Sequence, residues 1–314
     1  MARVGASLLH YRPWRGKFRA SALSVWPIAR AALQMILRRK LFWVLYAFGL
    51  LIFFMFFFGQ YLLAWAVTQM AEQTVRVGVV RAEPERIVQL LREVLRLDGS
   101  AYTYRNFFWY QGYMVMIVLA FAGSILVGND FQFGSLPFYL AKPLGRWHYL
   151  LGKCLAVAVF VNLMTTVPAL LLFLQYGLID PEAETTFSYY VNNRWLFVGI
   201  LAYGLVLTVC LSVMLVAAAT WLRRTVPMIM TWTAVFFFFR LLAITLVDGF
   251  RYDPRLRLID LWNNTYLVGN FCLGNELIRG NQPAVYQAAL VLGVLTLLCL
   301  IYLNRRIRAV EIVR

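Results

Sequence analysis

Charged positions divide this chain into long uncharged runs. No Asp, Glu, Lys or Arg occurs between Lys40 and Glu72, Arg105 and Asp130, Lys153 and Asp180, Arg194 and Arg223, or Arg279 and Arg305. Each run exceeds the roughly 20 apolar residues an α-helix needs to cross a hydrocarbon core about 30 Å thick. A sixth run, Thr225 to Val247, carries one charge, Arg240. The pattern predicts an all-α, polytopic membrane protein with six transmembrane helices, over residues 41–67, 107–128, 154–177, 196–219, 226–247 and 284–303.

The segments between the runs are patterned too. In 24–40, Pro27 suits the first turn of a helix. Trp26, Ala29, Leu33 and Leu37 share one arc of a helical wheel, beside Arg30, Gln34 and Arg38. This predicts a short amphipathic helix on the inner membrane surface; the alternative is a plain extension of the first span. Residues 1–23 read as a basic cytoplasmic arm and 24–314 as one membrane domain. Pro84 to Leu97 places Ile87, Leu90, Leu91, Val94, Leu95 and Leu97 at helical spacing and stops at Asp98-Gly99, predicting an amphipathic helix on the outer face. The last outer loop, 248–283, contains Leu258 to Trp262 and Tyr266 to Leu273, pieces too short to span and suited to interfacial or re-entrant positions. Asn263-Asn264-Thr265 matches a glycosylation sequon, a common chance match.

Composition agrees with lipid as the solvent: 62% of the 314 residues are hydrophobic and 14% charged, against about half and a quarter in soluble domains. The net charge of +16 is unevenly placed. With the N-terminus inside, the inner segments hold 18 Lys and Arg against Asp130 and Glu311, whereas the outer loops hold 11 basic residues against 12 acids. The positive-inside rule therefore places both termini in the cytoplasm. The basic balance reports orientation and contact with the lipid bilayer rather than nucleic acid. The first apolar run is too long for a cleavable signal peptide. Cys154, Cys210, Cys272 and Cys299 lack C-x-x-C spacing and read as small apolar packers, and the two histidines, His10 and His148, are far apart. No metal cluster is visible.

The predicted spans contain no Asp, Glu or His, which argues against proton relay and intramembrane proteolysis. No phosphate-cradling G-x-x-x-x-G-K-[ST] loop occurs; Gly145 to Cys154 has the wrong spacing. The chain is therefore expected not to be an enzyme and to bind no cofactor itself. The stretch Asn129 to Lys153 is too apolar for a free loop and too charged to span. Gly134-Ser135 can open a short helix running to Leu140, and Lys142-Pro143 breaks it. Such a helix, parallel to the membrane, is a docking element for a cytoplasmic partner.

This loop resembles the inner loop of ATP-binding-cassette (ABC) type-2 transporter permeases. The resemblance is carried by Asp130, Gly134, Ser135, Leu136, Leu140, Pro143, Arg146, Tyr149 and Lys153, with Lys142 inside the same stretch. The layout is similar as well: a cytoplasmic N-terminus, an interfacial elbow helix matched by 24–40, six spans, and outer helices before the last, matched by 248–283. The loop 68–106 is longer and more charged than that pattern needs. The resemblance implies that residues 130–153 carry a coupling helix resting on a separate ABC ATPase subunit, which uses the ATP. It implies a second permease copy, in a homodimer or heterodimer, export as the usual direction, and residence in the cytoplasmic (inner) membrane. A membrane scaffold or assembly factor docking a partner through the same loop is the other reading.

Arg240 lies roughly 10 Å from the outer end of its span, at 1.5 Å per residue. It either snorkels to the outer headgroups or contacts an anionic substrate or a partner chain. The preceding Phe236 to Phe239 make aromatic stacking available to it, in its own or a neighbouring helix. No acid within a span can pair with it. An unpaired arginine at depth costs a few kcal/mol, so Arg240→Leu is expected to favour insertion. Asn162, Thr165 and Thr166 share one face of the third span before Pro168, as a helix-packing stripe or a wall of the translocation path.

Overall fold

The computed structural model describes residues 25–76, 96–123, 125, 146–179, 187–222, 224–275 and 280–306. Their regular structure is entirely helical. Five helical stretches are long and apolar enough to cross a membrane: Lys40–Trp65, Trp147–Ile179, Arg194–Leu222, Thr225–Gly249 and Val285–Arg306. The chain is thus a multi-pass membrane protein, and each of these stretches overlies one of the predicted spans.

The helix α1, Val25–Leu37, is separate from α2, Lys40–Arg76, with Arg38 and Arg39 at the break. It buries Ile28, Ala29, Ala32 and Ile36. Trp26 and Leu37, predicted to share the apolar arc with Ala29, lie instead on the outside of the bundle. Its outward side therefore carries Trp26 and Leu37 together with Arg30 and Gln34. The apolar part of α2 ends near Trp65, but the helix continues to Arg76.

The helix α3, Ala101–Gly123, covers the second predicted run. It starts earlier than expected, after a turn fixed by Asp98, whose carboxylate accepts from the Ser100 amide (3.2 Å), the Ser100 hydroxyl (2.7 Å) and the Thr103 hydroxyl (3.0 Å). Its first half carries Arg105, Asn106 and Gln111 among aromatics, which makes it less apolar than the five stretches above. Much of it is buried, including Tyr104, Phe107, Phe108, Val115 and Met116. Of the predicted outer helix at 84–97, only Arg96 and Leu97 are described; Leu97 is fully buried.

The third span is two helices, α4 (Arg146–Met164) and α5 (Thr166–Ile179). Pro168 has no amide hydrogen and its ring clashes with the carbonyl four residues back, that of Met164, so the ladder breaks there. Thr165 bridges the break, its amide and hydroxyl both donating to the Val161 carbonyl at 2.9 and 2.7 Å. At Gly152 of α4, an added Cβ would lie 2.8 Å from Ile28 and 3.1 Å from the Val25 carbonyl, so the missing side chain is what lets α1 close on α4. The short α6, Ser188–Asn192, leads into α7, Arg194–Leu222.

Helix α7 is the centre of the bundle, most of its apolar stretch buried, while the stretches Lys40–Trp65, Thr225–Gly249 and Val285–Arg306 bury less than a quarter of theirs. Those outward apolar faces need lipid or another protein as neighbour. Helix α8, Thr225–Gly249, contains two π-helical segments, Ala234–Phe238 and Thr245–Gly249, on either side of Phe239–Ile244. Each π segment inserts a residue and turns the following side chains to a new bearing. A 3₁₀ helix, Pro254–Ile259, then α9, Leu261–Cys272, precede α10, Val285–Arg306.

Contacts between helices fix their directions. Phe42 meets Phe160 and Gln175 Nε2 donates to the Phe57 carbonyl, so α2 runs parallel to α4–α5. Phe56 meets Phe107 while Gly49 lies against Gln111, and Trp232 Nε1 donates to the Met116 carbonyl while Phe237 meets Tyr113, so α3 is antiparallel to α2 and to the stretch Thr225–Gly249. The end where α2 begins is called proximal below, and the end where α3 begins distal.

Candidate functional site

Two aspartates build the distal site. After Gly249, Arg251 adopts a left-handed conformation (φ 56°) and turns the chain back. Asp253 caps the 3₁₀ helix by accepting from the Arg255 amide at 2.8 Å, with Pro254 preset for the first turn. Asp260 then caps α9 by accepting from the Asn263 amide at 3.0 Å. Helix α9 is re-entrant: Trp262 at its start lies against Gly112 and Tyr113, more than two turns inside α3, and Asn275 beyond its end donates to the Ala101 carbonyl at 3.0 Å. Glycines make room for this. A Cβ at Gly112 would lie 2.0 Å from the Trp262 indole, and one at Gly269 would lie 2.2 Å from the Tyr203 ring.

The re-entrant turn brings an acid to the depth of Arg240. Asp260 Oδ2 lies 3.8 Å from Arg240 Nη1. The Arg240 guanidinium also sits 4.4 Å from the Trp109 ring centre and 5.4 Å from that of Tyr113. The stacking foreseen for this arginine therefore comes from α3, and the acid from outside the spans. Burial pushes the Asp260 carboxyl above the usual carboxylate range; the Asn263 amide and the Arg240 guanidinium oppose that shift without cancelling it.

Around this pair is a cavity of about 470 Å³. Its charged lining is Arg96, Arg105, Arg240, Arg257, Asp248 and Asp260. Trp109, Tyr110 and Tyr266 contribute aromatic wall. Arg257 is ion-paired with Asp248, toward which Asn281 also points an amide at 3.5 Å. Arg96 and Arg105 both stack on Tyr102, at 4.6 and 4.8 Å from its ring centre. Arg240 Nη1 and Arg257 Nε are buried without a hydrogen-bond partner. The arrangement is a recess with an excess of positive charge, suited to recognising an anion.

The other sequence candidates lie elsewhere. Asn162 donates to the Ala158 carbonyl and to the Thr208 hydroxyl, both at 2.8 Å, tying α4 to α7. Thr166 is buried against Gly204 of α7. Neither lines the cavity with Arg240, and both sit in helix packing. Lys153 is buried in α4, its ammonium 5.6 Å from the Tyr149 ring centre, and Arg146 opens that helix. Asp130, Gly134, Ser135, Leu136, Leu140, Lys142 and Pro143 lie outside the described residues. The sequon asparagine, Asn263, is buried and donates to Gln282 at 3.0 Å, so the site is closed to a glycosyl donor in this fold. Sequence reasoning missed Asp260, Arg257 and Arg105 as one group. The available signal was Asp253-Pro254 and Asp260-Leu261-Trp262, two helix starts within eight residues. No known protein family matches the chain's sequence, and no curated protein does.

Proposed function

We propose that this chain is the permease subunit of an ABC transporter, paired with a second permease copy and driven by a separate ATPase. In this reading it crosses the cytoplasmic membrane six times, α3 supplying the second span, with the proximal end in the cytoplasm. The net +16 of the proximal segments against −1 for the distal loops supports that orientation. The scaffold reading shares the docking loop but gives no role to a charged cavity at the opposite end.

The observation that carries the proposal is the seat of α1. It is a separate helix closed onto the start of α4 at Gly152. Helix α4 is also where the 129–153 loop ends, and Asn162 bonds it to central α7. A push on the loop therefore meets one connected unit, α1, α4 and α7, rather than a frayed tether. Tilting that unit is a direct way to turn ATPase closure into alternate access.

Affinity purification of the tagged chain in mild detergent, with identification of what copurifies, tests this. The expected partner is a soluble chain with a phosphate-cradling loop, recovered in an ATPase-to-permease ratio near one. Recovery of the permease with only non-nucleotide-binding partners would favour the scaffold reading.

A further inference from the structure

We propose that the distal cavity binds a phosphate group, free or carried on a lipid headgroup, and that Asp260 is a built-in counter-ion which this ligand displaces from Arg240. The inference names a substrate class for the permease reading and rests on that reading for its use in transport. Binding itself is measured without the ATPase, so the two can fail separately.

Charge comes first. The lining holds four guanidiniums and two carboxylates, two positive charges in excess, and a phosphate monoester carries about −1.5 to −2 at neutral pH. Asp248 is already engaged by Arg257. Asp260 engages Arg240 only at 3.8 Å, with no hydrogen bond made by Arg240 Nη1. A charge-assisted bond of this kind closes to about 2.7–2.9 Å. The planar fork is thus held by Trp109 and Tyr113, with donor capacity unspent, beside a cavity of about 470 Å³. That volume falls in the range of small-molecule sites, about 300–1,000 Å³. Phosphate presents three acceptor oxygens to such forks, where a carboxylate presents two.

Asp260 offsets the charge of Arg240 from within the chain. Without an acid, the guanidinium would be left with only ring faces for company. Its contact with Arg240 is long, at 3.8 Å, and burial raises its carboxyl, so it takes up a proton more readily than an exposed carboxylate when a stronger anion claims the guanidinium. The aromatic walls at Trp109, Tyr110 and Tyr266 then face whatever carries the phosphate. Arg96 and Arg105, both stacked on Tyr102, complete the lining from the distal end.

The test is calorimetric titration of the purified full chain, in a phosphate-free sugar detergent, with glycerol phosphate and with dihexanoyl phosphatidic acid. Wild type is expected to bind at least one probe saturably. Arg240→Lys and Arg257→Gln should weaken it at least about tenfold, since each removes planar, charge-assisted donors. Asp260→Asn, which keeps the helix cap, should tighten binding several-fold. Arg194→Gln, at the distal end but outside the lining, should leave it unchanged. Equal affinity for both probes means that the phosphate alone is recognised; binding of the lipid probe only means a headgroup ligand. No saturable binding of either probe, or wild-type affinity in both arginine variants, overturns the site. Unchanged or weaker binding in Asp260→Asn overturns the displacement.

Discussion

Gly112→Val should lower the apparent melting temperature of the detergent-purified protein by several degrees and unseat α9. A Cβ at this position would lie 2.0 and 2.1 Å from two carbons of the Trp262 indole. That ring cannot swing aside freely: it is 2% exposed and flanked by Trp109 and Tyr113. Overpacking of this kind costs about 1–3 kcal/mol and sometimes more. Gly293→Val is the matched control, because nothing lies within 4 Å of a Cβ there. Adding Trp262→Ala should recover part of the loss, although alone it leaves a large cavity, at about 3–5 kcal/mol. Equal melting of the Gly112 and Gly293 variants would mean that α9 is not held where the structure has it.

Arg240→Leu should be destabilising, the reverse of what sequence alone predicts. An unpaired arginine at depth is a liability, and removing it helps. Asp260 changes the sign, because truncating Arg240 leaves a buried carboxylate without its guanidinium. Breaking a fully buried pair costs about 3–5 kcal/mol; about 2 kcal/mol is expected here, since Arg240 keeps 19% exposure. The loss should depend on pH. The Asp260 carboxyl is already raised by burial, with Arg240 among the groups pulling it down. Without Arg240 it rises further. A folded carboxyl titrating above its unfolded value binds more protons than the unfolded chain between the two, so stability falls as pH rises through that window. The penalty of Arg240→Leu should thus be largest at alkaline pH and shrink on acidification, and Arg240→Leu/Asp260→Asn should recover most of it. Thermal melts at matched pH values decide this. A pH-independent penalty, unrelieved in the double variant, would detach Asp260 from Arg240.

The reversal marks where the sequence was legible and where it was not. The charge-free runs placed four spans within about three residues at each end, because lipid admits so few charges that their absence alone delimits a helix; the third stretch begins at Trp147, seven residues before its predicted start, because α4 continues past Lys153. The break at Thr165 follows from Pro168, three residues on. The two π segments of α8 left no trace in composition, since the register change depends on packing rather than residue type. The caps Asp253 and Asp260 were readable as helix starts. Their depth was not: twelve residues are too few to span, and only the seats at Gly112 and Gly269 show that α9 dips into the bundle. Arg240 stood out at once, yet its partners came from a turn 20 residues later and from Trp109 and Tyr113 of α3. Asn162 and Thr166, chosen as a polar stripe, are read best as glue between α4 and α7, because a polar group in an apolar bundle satisfies itself across a helix interface as readily as along a pathway.

The central claim is mechanical coupling between this chain and a separate ATPase through the 129–153 loop. It is tested most directly by ATP hydrolysis of the copurified complex in proteoliposomes, comparing wild type with Gly134→Pro and with Arg146→Glu. The account predicts that both variants insert and retain the ATPase but lose most of the permease-dependent stimulation. Full stimulation in both variants, in complexes of normal composition, would contradict it.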